Sequence, residues 1–482
     1  MEPIDRTIHS FLRELAEANP EKKLLGYGSH WMTSKQVLTA VEAVAYRLVQ
    51  LGLRSGDYVA LRSFRTTDTI LMILGLQAIG AVAVLTDPRY DPEDFMRSCD
   101  VSIPLAAIID RDIFTDKRTR KQVFLTPSSL EHRGFSEKHV DPRSTAFVIF
   151  TSGSTGKSKA VMLSQYNLVN NLIDSQPLGY YTHDDIALGA LPLDHVFGLV
   201  LLFGMAVLQY ALYLPERTDI HAILSAIETQ QITRMNGVPS LYLAMAERKG
   251  SYILSSLRAG FIGGGPCTVE QFEHIEEALD MILIPVYGMS ECIGICCASY
   301  QDPQTVRASG VGPFYSMNTG RILLEDGIEA PIGAEGEICV CGPARMVGYY
   351  PDPMDETQLL RTGDLGYMDD HGVVHITGRK KDIIIRNGCN ISARRIEKAL
   401  LSIQGVKAAA VVGLKHAAQG EAPWAMVVSD HSEPILLNQL SNRLAKNEIP
   451  LGIYLTDAIP TTSSGKPDKL TIREVLTAWA KV

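Results

Sequence analysis

The sequence predicts a large α/β domain of parallel or mixed sheets flanked by helices, with a β subdomain, followed by a small α+β domain. At 482 residues the chain is too long for one ordinary hydrophobic core, so two or more domains are expected. Strand-like and helix-like runs alternate through about the first 300 residues, which is typical of a parallel sheet. Glycine-rich turns between short β-like runs follow. We place the boundary at Gly378–Asp382 and expect domains at 1–378 and 379–482.

The clearest alternation is one strand–helix–strand unit. Tyr58–Arg62 and Ala81–Leu85 are short apolar runs that indicate strands, and Thr66–Ile79 between them indicates a buried helix. Because the links are short, the unit implies a right-handed crossover between two parallel strands. Such a sheet is covered by helices on both faces.

The alternation extends on both sides of this unit. Downstream it continues through Ala222–Arg248 and Val269–Leu283. Upstream, Thr33 or Ser34 can cap a helix that Gly52 ends. The apolar face of this helix has the helical spacing and consists of Val37, Leu38, Val41, Val44, Ala45 and Leu48.

One apolar run is long enough to raise the question of a membrane span. Val196–Leu214 is apolar apart from Gln209, and Pro215 ends it. The run divides naturally into a helix and a strand at Ala211–Leu214. A buried helix–strand pair is therefore favoured over a span.

The last third of the chain predicts two kinds of structure. Its first part indicates a β subdomain, with β-like runs at Gly336–Val340, Val373–Ile376 and Asp382–Ile385. The segment after the boundary mixes helices and strands. We expect helices at Ala393–Ile403, Ile435–Asn447 and Leu470–Trp479, and strands at Ala408–Val412 and Trp424–Val428.

Composition excludes several classes of protein. The net charge of -9 comes without a basic tail or stripe, which disfavours nucleic-acid binding. The N-terminal residues do not have the pattern of a secretory signal. The eight cysteines contain no paired Cys-x-x-Cys, and Cys292, Cys296 and Cys297 are too closely bunched for a metal site. Unpaired thiols indicate a reducing, cytoplasmic setting.

The most informative segment is Phe150–Val161, where hydroxyls, glycines and two lysines follow the end of a predicted strand. Glycines let the backbone approach a ligand, and exposed N–H groups and hydroxyls donate to phosphate oxygens. We predict a polyphosphate-binding loop, rather than a flexible surface loop, made of Thr151, Ser152, Gly153, Ser154, Thr155, Gly156 and Lys157.

This loop differs from the P-loop of kinases and ATPases. Gly156-Lys157-Ser158 fits the end of the P-loop pattern, but Thr151 stands where the first glycine is needed. The sequence Thr-Ser-Gly-Ser-Thr-Gly-Lys instead resembles the phosphate loop of the adenylate-forming superfamily. That family includes acyl- and aryl-CoA synthetases, luciferases and peptide-synthetase adenylation domains.

Further segments resemble motifs of the same superfamily, in its order, from about residue 145 to residue 470. They correspond to the acyl pocket, the adenine turn, the Tyr-Gly-x-Thr-Glu motif, the ribose motif, the hinge and the C-terminal lysine loop. In this order they are Leu191–Gly198 with Asn236–Ser240, Gly263–Pro266, Tyr287–Glu291, Arg361–Asp364, Gly378–Asp382 and Pro460–Lys466.

The resemblance implies activation of a carboxylic acid by ATP and Mg²⁺, then transfer to coenzyme A. It implies that Lys466 bridges the acyl carboxylate and the α-phosphate, that Ser290 donates to that phosphate, and that Glu291 supplies an oxygen to Mg²⁺. It also implies a C-terminal domain that rotates between the two steps. The implied residues are His195, Ser290, Glu291 and Lys466 for catalysis; the loop Thr151–Lys157, Gly263, Gly264, Gly265, Tyr287, Gly288, Asp364 and Arg379 for the nucleotide; Lys381 for the hinge; His195, Val196, Asn236, Val238 and Met289 for the acyl pocket; and Gly388 for the CoA side.

The identity of the acid is constrained by Val196. Amino-acid-activating relatives usually place Asp there, after the aromatic residue whose place His195 takes. A buried ammonium without a partner is costly, so a fatty or aryl acid is favoured. Because no carrier domain follows Val482, CoA is the expected acceptor. The alternatives are a ligase that loads a carrier protein and a nucleotide-binding protein that has lost catalysis.

Some residues have a second interpretation or depart from the family pattern. His195 could be a core histidine, and Arg394 and Arg395 a solvated helix face. Ser290 replaces the commoner Thr but keeps the hydroxyl, and Lys469 stands where Arg is usual.

Overall fold

A computed structural model describes residues 2–127, 130, 135, 139–151, 158–416, 418–461 and 467–480. Its strands, in chain order, are β1 Lys23–Tyr27, β2 His30–Thr33, β3 Tyr58–Arg62, β4 Val82–Thr86, β5 Leu105–Asp110, β6 Ile113–Asp116, β7 Gln122–Phe124, β8 Thr145–Thr151, β9 Lys159–Ser164, β10 Ile186–Leu188, β11 Ala211–Leu214, β12 Arg234–Gly237, β13 Ala259–Ile262, β14 Ile282–Met289, β15 Cys292–Cys297, β16 Thr319–Leu323, β17 Gly336–Cys341, β18 Gly348–Tyr349, β19 Asp352–Pro353, β20 Leu360–Met368, β21 Val374–Arg379, β22 Ile383–Arg386, β23 Cys389–Ser392, β24 Val406–His416, β25 Gly420–Ser429 and β26 Ile453–Leu455. Its α-helices are α1 Ile8–Ala18, α2 Ser34–Gln50, α3 Thr67–Ala78, α4 Pro92–Ser98, α5 Gln165–Ser175, α6 Val196–Val207, α7 Ile220–Gln230, α8 Pro239–Arg248, α9 Val269–Leu279, α10 Gln304–Ser309, α11 Ala393–Leu401, α12 Glu433–Ser441 and α13 Lys469–Ala480.

Two large sheets form the N-terminal part. One has nine strands in the order β19-β18-β9-β8-β4-β3-β5-β6-β7, and the other has eight in the order β15-β14-β13-β12-β10-β11-β1-β2. The central strands of both sheets are parallel, and antiparallel strands form the edges. Helices α1, α2, α3, α5 and α6 contribute to one large apolar core with both sheets. The α/β class predicted from the alternation is confirmed.

Two smaller sheets follow along the chain. A four-stranded antiparallel sheet has the order β16-β17-β20-β21 and is the expected β subdomain. A five-stranded sheet has the path β23-β22-β25-β24 with β26 beside β25, and it packs against α11, α12 and α13. The run Asp382–Ile385 belongs to this last sheet, because β22 pairs with β23 and β25.

Several elements lie where local sequence signals predicted them. Thr33 caps α2 with a capping box, in which Thr33 and Gln36 satisfy each other's backbone N–H. Strand β3 has the predicted bounds, and β3 and β4 are parallel as the crossover required. The apolar run Val196–Leu214 forms α6 and β11, and no helix in the described part of the chain is long and apolar enough to cross a membrane.

Other strands and helices begin or end at residues that differ from the prediction, because of contacts that local patterns do not record. Strands β24 and β25 are longer than predicted because they pair with each other from Val406 to His416. Helix α12 ends at Ser441 instead of Asn447. The backbone N–H of Ala445, which would bond to the carbonyl of Ser441 in a continuing helix, instead donates to Oε2 of Glu448 at 2.8 Å. Beyond it, the guanidinium of Arg386 on β22 donates hydrogen bonds to the carbonyls of Asn447 (2.8 Å) and Ile449 (3.0 Å).

Candidate active site

A cavity of about 640 Å³ lies at the carboxyl ends of strands from both large sheets. Thr151 ends β8, Val238 and Gly263 follow β12 and β13, and Met289 ends β14. In open α/β sheets this edge is where ligands bind, because the loops that leave parallel strands converge there. The four-stranded sheet closes one side with Arg361 and its neighbours.

Most of the predicted site residues meet in this cavity. Asn236, Gly265 and Asp364 lie outside its lining, and residues 152–157 and Lys466 lie outside the described residues. The predicted residues that line it are Thr151, His195, Val196, Val238, Gly263, Gly264, Tyr287, Gly288, Met289, Ser290, Glu291, Arg379 and Lys381.

Glu291 brings a buried carboxylate to the cavity. The residue is only 8% exposed, and its Oε1 accepts a hydrogen bond of 2.7 Å from the Tyr349 hydroxyl. Burial raises the pKa of Tyr349, as does the charge of Glu291, so the phenol stays protonated and donates. A carboxylate has room for further partners on its oxygens. Glu291 therefore has the chemistry of a ligand for a hard cation.

Asp364 forms the centre of a second charged group just behind the lining. Its Oδ2 accepts from the Tyr287 hydroxyl and its Oδ1 from Nε of Arg379, both at 2.7 Å. Burial, together with the Asp364 charge, raises the pKa of Tyr287 well above its ordinary value. Asp364 is only 4% exposed, so it can reach a ligand only through the lone pairs that these two donors leave unused.

Glu337 is a cavity carboxylate that sequence reasoning missed. Its Oε2 lies 3.1 Å from Nε of Arg361 and 3.4 Å from Nζ of Lys380, and its Oε1 accepts from the backbone N–H of Gly363. These contacts connect the motifs Arg361–Asp364 and Gly378–Asp382 to β17. Its only sequence signal is a charged residue inside an apolar strand, Gly336–Cys341.

One wall of the cavity is largely apolar. Phe197, Val200, Val286 and Ile293 lie beside the predicted Val196 and Val238 on this wall, with Tyr180 and Tyr315. Asn236 lies behind the wall: its Nδ2 donates to the Tyr180 hydroxyl at 3.1 Å, and its Oδ1 accepts from the Tyr181 hydroxyl at 3.0 Å. The predicted pocket residue Asn236 thus supports the wall instead of facing its interior.

His195 lies between this wall and a buried acid. It is the N-cap residue of α6, and its half-buried side chain lines the cavity. The neighbouring carboxyl of Asp194 is 8% exposed, and burial raises its pKa. A histidine that faces a cavity fits the functional interpretation better than that of a core histidine.

The segment between the two smaller sheets is held from both sides. Arg379 and Lys380 bind Asp364 and Glu337, while Asp382 accepts from Nζ of Lys469 at 2.9 Å. Lys381 lies between them, in a single helical turn Lys380–Asp382.

Lys469 carries a positive charge, as does the Arg that is usual at this position of the family pattern. Its Nζ lies 3.2 Å from Oε1 of Glu397 and also contacts Asp382. Burial lowers the pKa of Lys469, but Glu397 and Asp382 outweigh it and hold the pKa above its ordinary value. Replacement of the usual Arg by Lys therefore preserves an ion pair at this place.

Gly388 is not brought to the cavity in this structure. It lies in the exposed turn between β22 and β23 with φ at +76°, and a Cβ added there would meet nothing within 4 Å. A positive φ at this tight turn favours glycine. The predicted CoA-side position is therefore free to approach another surface but does not do so here.

Comparison with known proteins gives concordant matches. The model of the AMP-binding enzyme family matches residues 12–350, and that of the AMP-binding enzyme C-terminal domain matches residues 395–466. A 2-succinylbenzoate–CoA ligase of Bacillus cereus (strain Q1) is 28% identical over 479 residues, covering 98% of this chain and 99% of the relative.

Solved structures share the fold over the same length. ATP-bound MatB from Rhodopseudomonas palustris has a TM-score of 0.86 at 24% identity, covering 98% of this chain and 99% of that chain. The o-succinylbenzoate CoA synthetase MenE from Bacillus subtilis, in complex with the acyl-adenylate intermediate OSB-AMP, has a TM-score of 0.83 at 24% identity and covers 98% of each chain.

Proposed function

Because this chain belongs to the AMP-binding enzyme family, we propose that it is an AMP-forming carboxylic acid–CoA ligase. In the first step a carboxylate oxygen of the acid attacks the α-phosphorus of ATP, and diphosphate leaves. In the second step the sulfur of CoA attacks the acyl carbon, AMP leaves, and the thiol proton passes to solvent. The observation that carries the proposal is one cavity in which an apolar wall meets Ser290, Glu291 and Arg379. Asp364 is bonded to Arg379 just behind the lining.

The charged side of the cavity suits the nucleotide. Asp364 would accept from the ribose hydroxyls, the ring of Tyr287 would lie against adenine, and Arg379 would reach ribose or phosphate. The loop Thr151–Lys157 would hold the phosphates, as its composition predicts. Gly263 and Gly264 would let the backbone approach the base.

The reaction also uses Mg²⁺, and Glu291 is suited to hold it. Its buried carboxylate faces the cavity with one oxygen held by Tyr349. Among the described residues no group of three or more acidic, histidine or cysteine side chains could hold a metal. This agrees with Mg²⁺ bound by one or two carboxylates together with substrate phosphates. The ion would neutralise phosphate charge, and Ser290 would donate to the α-phosphate.

The acid is proposed to be of the fatty or aryl type. Val196 and its apolar neighbours offer no partner for an α-ammonium, whose unpaired burial would be costly. The 2-succinylbenzoate–CoA ligase relatives, at 28% identity, support an aryl acid. All eight cysteines are free, which supports a cytoplasmic setting. The domain boundary is proposed at 378/379, next to the turn Lys380–Asp382.

The test is acid-dependent diphosphate release with ATP and Mg²⁺, measured with and without CoA across fatty, aryl and amino acids. We expect fatty or aryl acids to drive release and CoA thioester to form. Common amino acids should give no signal above background, because Val196 leaves the ammonium unpaired. Strong exchange with an amino acid would contradict the pocket assignment. Adenylation without any transfer to CoA would instead favour a carrier protein as the acceptor.

Asp364→Asn is expected to raise the KM for ATP by about tenfold or more, the scale of losing hydrogen bonds to a charged group. The side chain keeps its shape but loses the charge that accepts from Tyr287 and Arg379. Asp369→Asn is the matched control, since Asp369 follows the other end of β20 and pairs with His375. An unchanged KM in Asp364→Asn would remove Asp364 from the nucleotide site.

A further inference from the structure

Helix α5 presents one unusual amide to the cavity. Asn171 is 5% exposed and lines the cavity, yet its Nδ2 has no hydrogen-bond partner among the described residues. Buried polar groups are almost always paired, so an exception requires a reason. A donor that faces a cavity and lacks a protein partner is explained if the partner is a ligand.

The other polar side chains of this helix are satisfied. Nδ2 of Asn167 donates to the carbonyl of Pro343 at 2.8 Å, and Nδ2 of Asn170 donates to the carbonyl of Ile4 at 3.1 Å. Asp174 accepts from the backbone N–H of Met317 at 2.7 Å. The lack of a partner is therefore particular to Asn171 and not a general property of α5.

Gly294 lies directly beside the amide of Asn171 in the cavity lining. Gly294 lines the cavity, and a Cβ added there would overlap Nδ2 of Asn171 and lie 2.7 Å from the ring of Tyr315. The absence of a side chain at Gly294 thus leaves room for the Asn171 amide at this position of the lining. The Tyr180 hydroxyl, on the same wall, is already bonded to Asn236.

The charge distribution indicates what kind of group meets the amide. Arg361 and Lys380 are bound to Glu337, and Arg379 is bound to Asp364. Lys159 lies 4.5 Å from the centre of the Tyr349 ring, whose hydroxyl bonds to Glu291. Lys381, the remaining lysine of the described lining, lies in the turn Lys380–Asp382 next to Arg379. These cations thus accompany the residues that are proposed to bind the nucleotide. Among the described residues a second carboxylate beside Asn171 would have no counterion, so a neutral acceptor fits better.

We propose that Asn171 determines specificity by donating from Nδ2 to a neutral oxygen on the tail of the acid. The substrate class is then an aryl or aliphatic acid that carries a ketone, ether or hydroxyl oxygen away from its reacting carboxylate. This inference rests on the proposed function, because it assigns the wall of Asn171, Gly294 and Tyr315 to the acyl group.

The test compares pairs of acids with matched shape, an oxygen-bearing member and its hydrocarbon counterpart. The probes are acetyl- against isopropyl-benzoates and methoxy- against ethyl-benzoates, substituted in turn at each ring position, and 5-oxohexanoate against 5-methylhexanoate. For at least one pair we expect the wild-type enzyme to favour the oxygen-bearing acid by about tenfold or more in kcat/KM, because a site built to donate a hydrogen bond rejects an analogue that cannot accept it.

Asn171→Leu has nearly the same shape without the donor. It should reduce that preference by about tenfold, mainly by slowing the oxygen-bearing acid and not the hydrocarbon acid. Its melting temperature should not fall, because the lost Nδ2 donor has no partner among the described residues. Asn171→Ala removes the donor without introducing a larger apolar side chain. It replaces the leucine variant in this test if that variant does not fold.

Three results would overturn the inference. The first is an equal preference in the wild type and both variants. The second is a preference for hydrocarbon acids in the wild type. The third is a preference for phenolic acids that ketones and ethers do not share, since this would require an acceptor in place of the donor. Failure of every acid to release diphosphate would count against the proposed function instead.

Discussion

Lys466→Ala is expected to slow acyl-adenylate formation by about 10²-fold or more, the scale of removing a key charge-stabilising donor. Negative charge builds up on the phosphoryl oxygens as the acid carboxylate attacks. A cation that contacts both reacting groups lowers the barrier only if it acts in that transition state. Lys466 lies outside the described residues, and the prediction rests on its Ser-Ser-Gly-Lys setting in the loop Pro460–Lys466.

The affinity for ATP should change little in this variant. Asp364, Tyr287 and Arg379 form their group without Lys466, and they are proposed to hold the nucleotide. Diphosphate release in a single turnover measures the first step, and thioester formation from added acyl-adenylate measures the second. The second step should remain close to that of the wild type, because the α-phosphate has already been substituted.

Lys407→Ala is the matched control for this prediction. Lys407 lies on β24, and its side chain is 63% exposed and 3.9 Å from Asp430. Exposed ion pairs contribute little to stability, so this variant should retain both steps. Near-normal adenylation by Lys466→Ala would remove the assigned role from this lysine.

Local sequence signals were sufficient where a short stretch of chain determines its own structure. The capping box at Thr33 begins α2, and the apolar run of β3 appears with its predicted bounds. The break inside Val196–Leu214 separates α6 from β11 as the sequence indicated. These signals depend on residues a few positions apart, which sequence patterns record directly.

The missed site residues depend on contacts between distant parts of the chain. Asn171 on α5 lies beside Gly294 on β15, and Glu337 on β17 contacts Lys380, which follows β21. Tyr349, on the two-residue strand β18, reaches Glu291. None of these pairs has a spacing that a motif would preserve. Each contact is fixed by the tertiary fold, so it becomes visible only when distant elements of the chain are placed together.

Lys381→Pro is expected to keep much of the adenylation activity but to reduce thioester formation from acyl-adenylate by roughly tenfold or more. Proline fixes φ at about -65° and removes an N–H, so it restricts any rotation centred on this residue. If Lys466 contacts the α-phosphate as proposed, its loop has to reach that phosphate in the first step, and the same loop would block CoA in the second. A change of orientation between the steps resolves this conflict.

The contacts around Lys381 support its choice as the hinge. Residues before it, Arg379 and Lys380, bind Asp364 and Glu337 of the four-stranded sheet. The residue after it, Asp382, binds Lys469 at the start of α13. The chain is thus attached to the four-stranded sheet before Lys381 and to α13 after it. Rotation of φ or ψ at Lys381 would turn the part of the chain that follows it without breaking either set of contacts, and it would open the hydrogen bond from the Ser392 hydroxyl to the carbonyl of Thr377. We propose that this rotation brings the turn at Gly388 toward the cavity.

Lys381→Ala separates the backbone effect from the loss of the side chain. Alanine removes the ammonium group but leaves φ and ψ free, so both half-reactions should persist in that variant. The two steps are measured separately, by diphosphate release and by thioester formation from added acyl-adenylate. Equal loss of both steps in Lys381→Pro would indicate misfolding, which a lower melting temperature would reveal. Retention of both steps would show that rotation about φ of Lys381 is not required. The hinge would then lie at another residue.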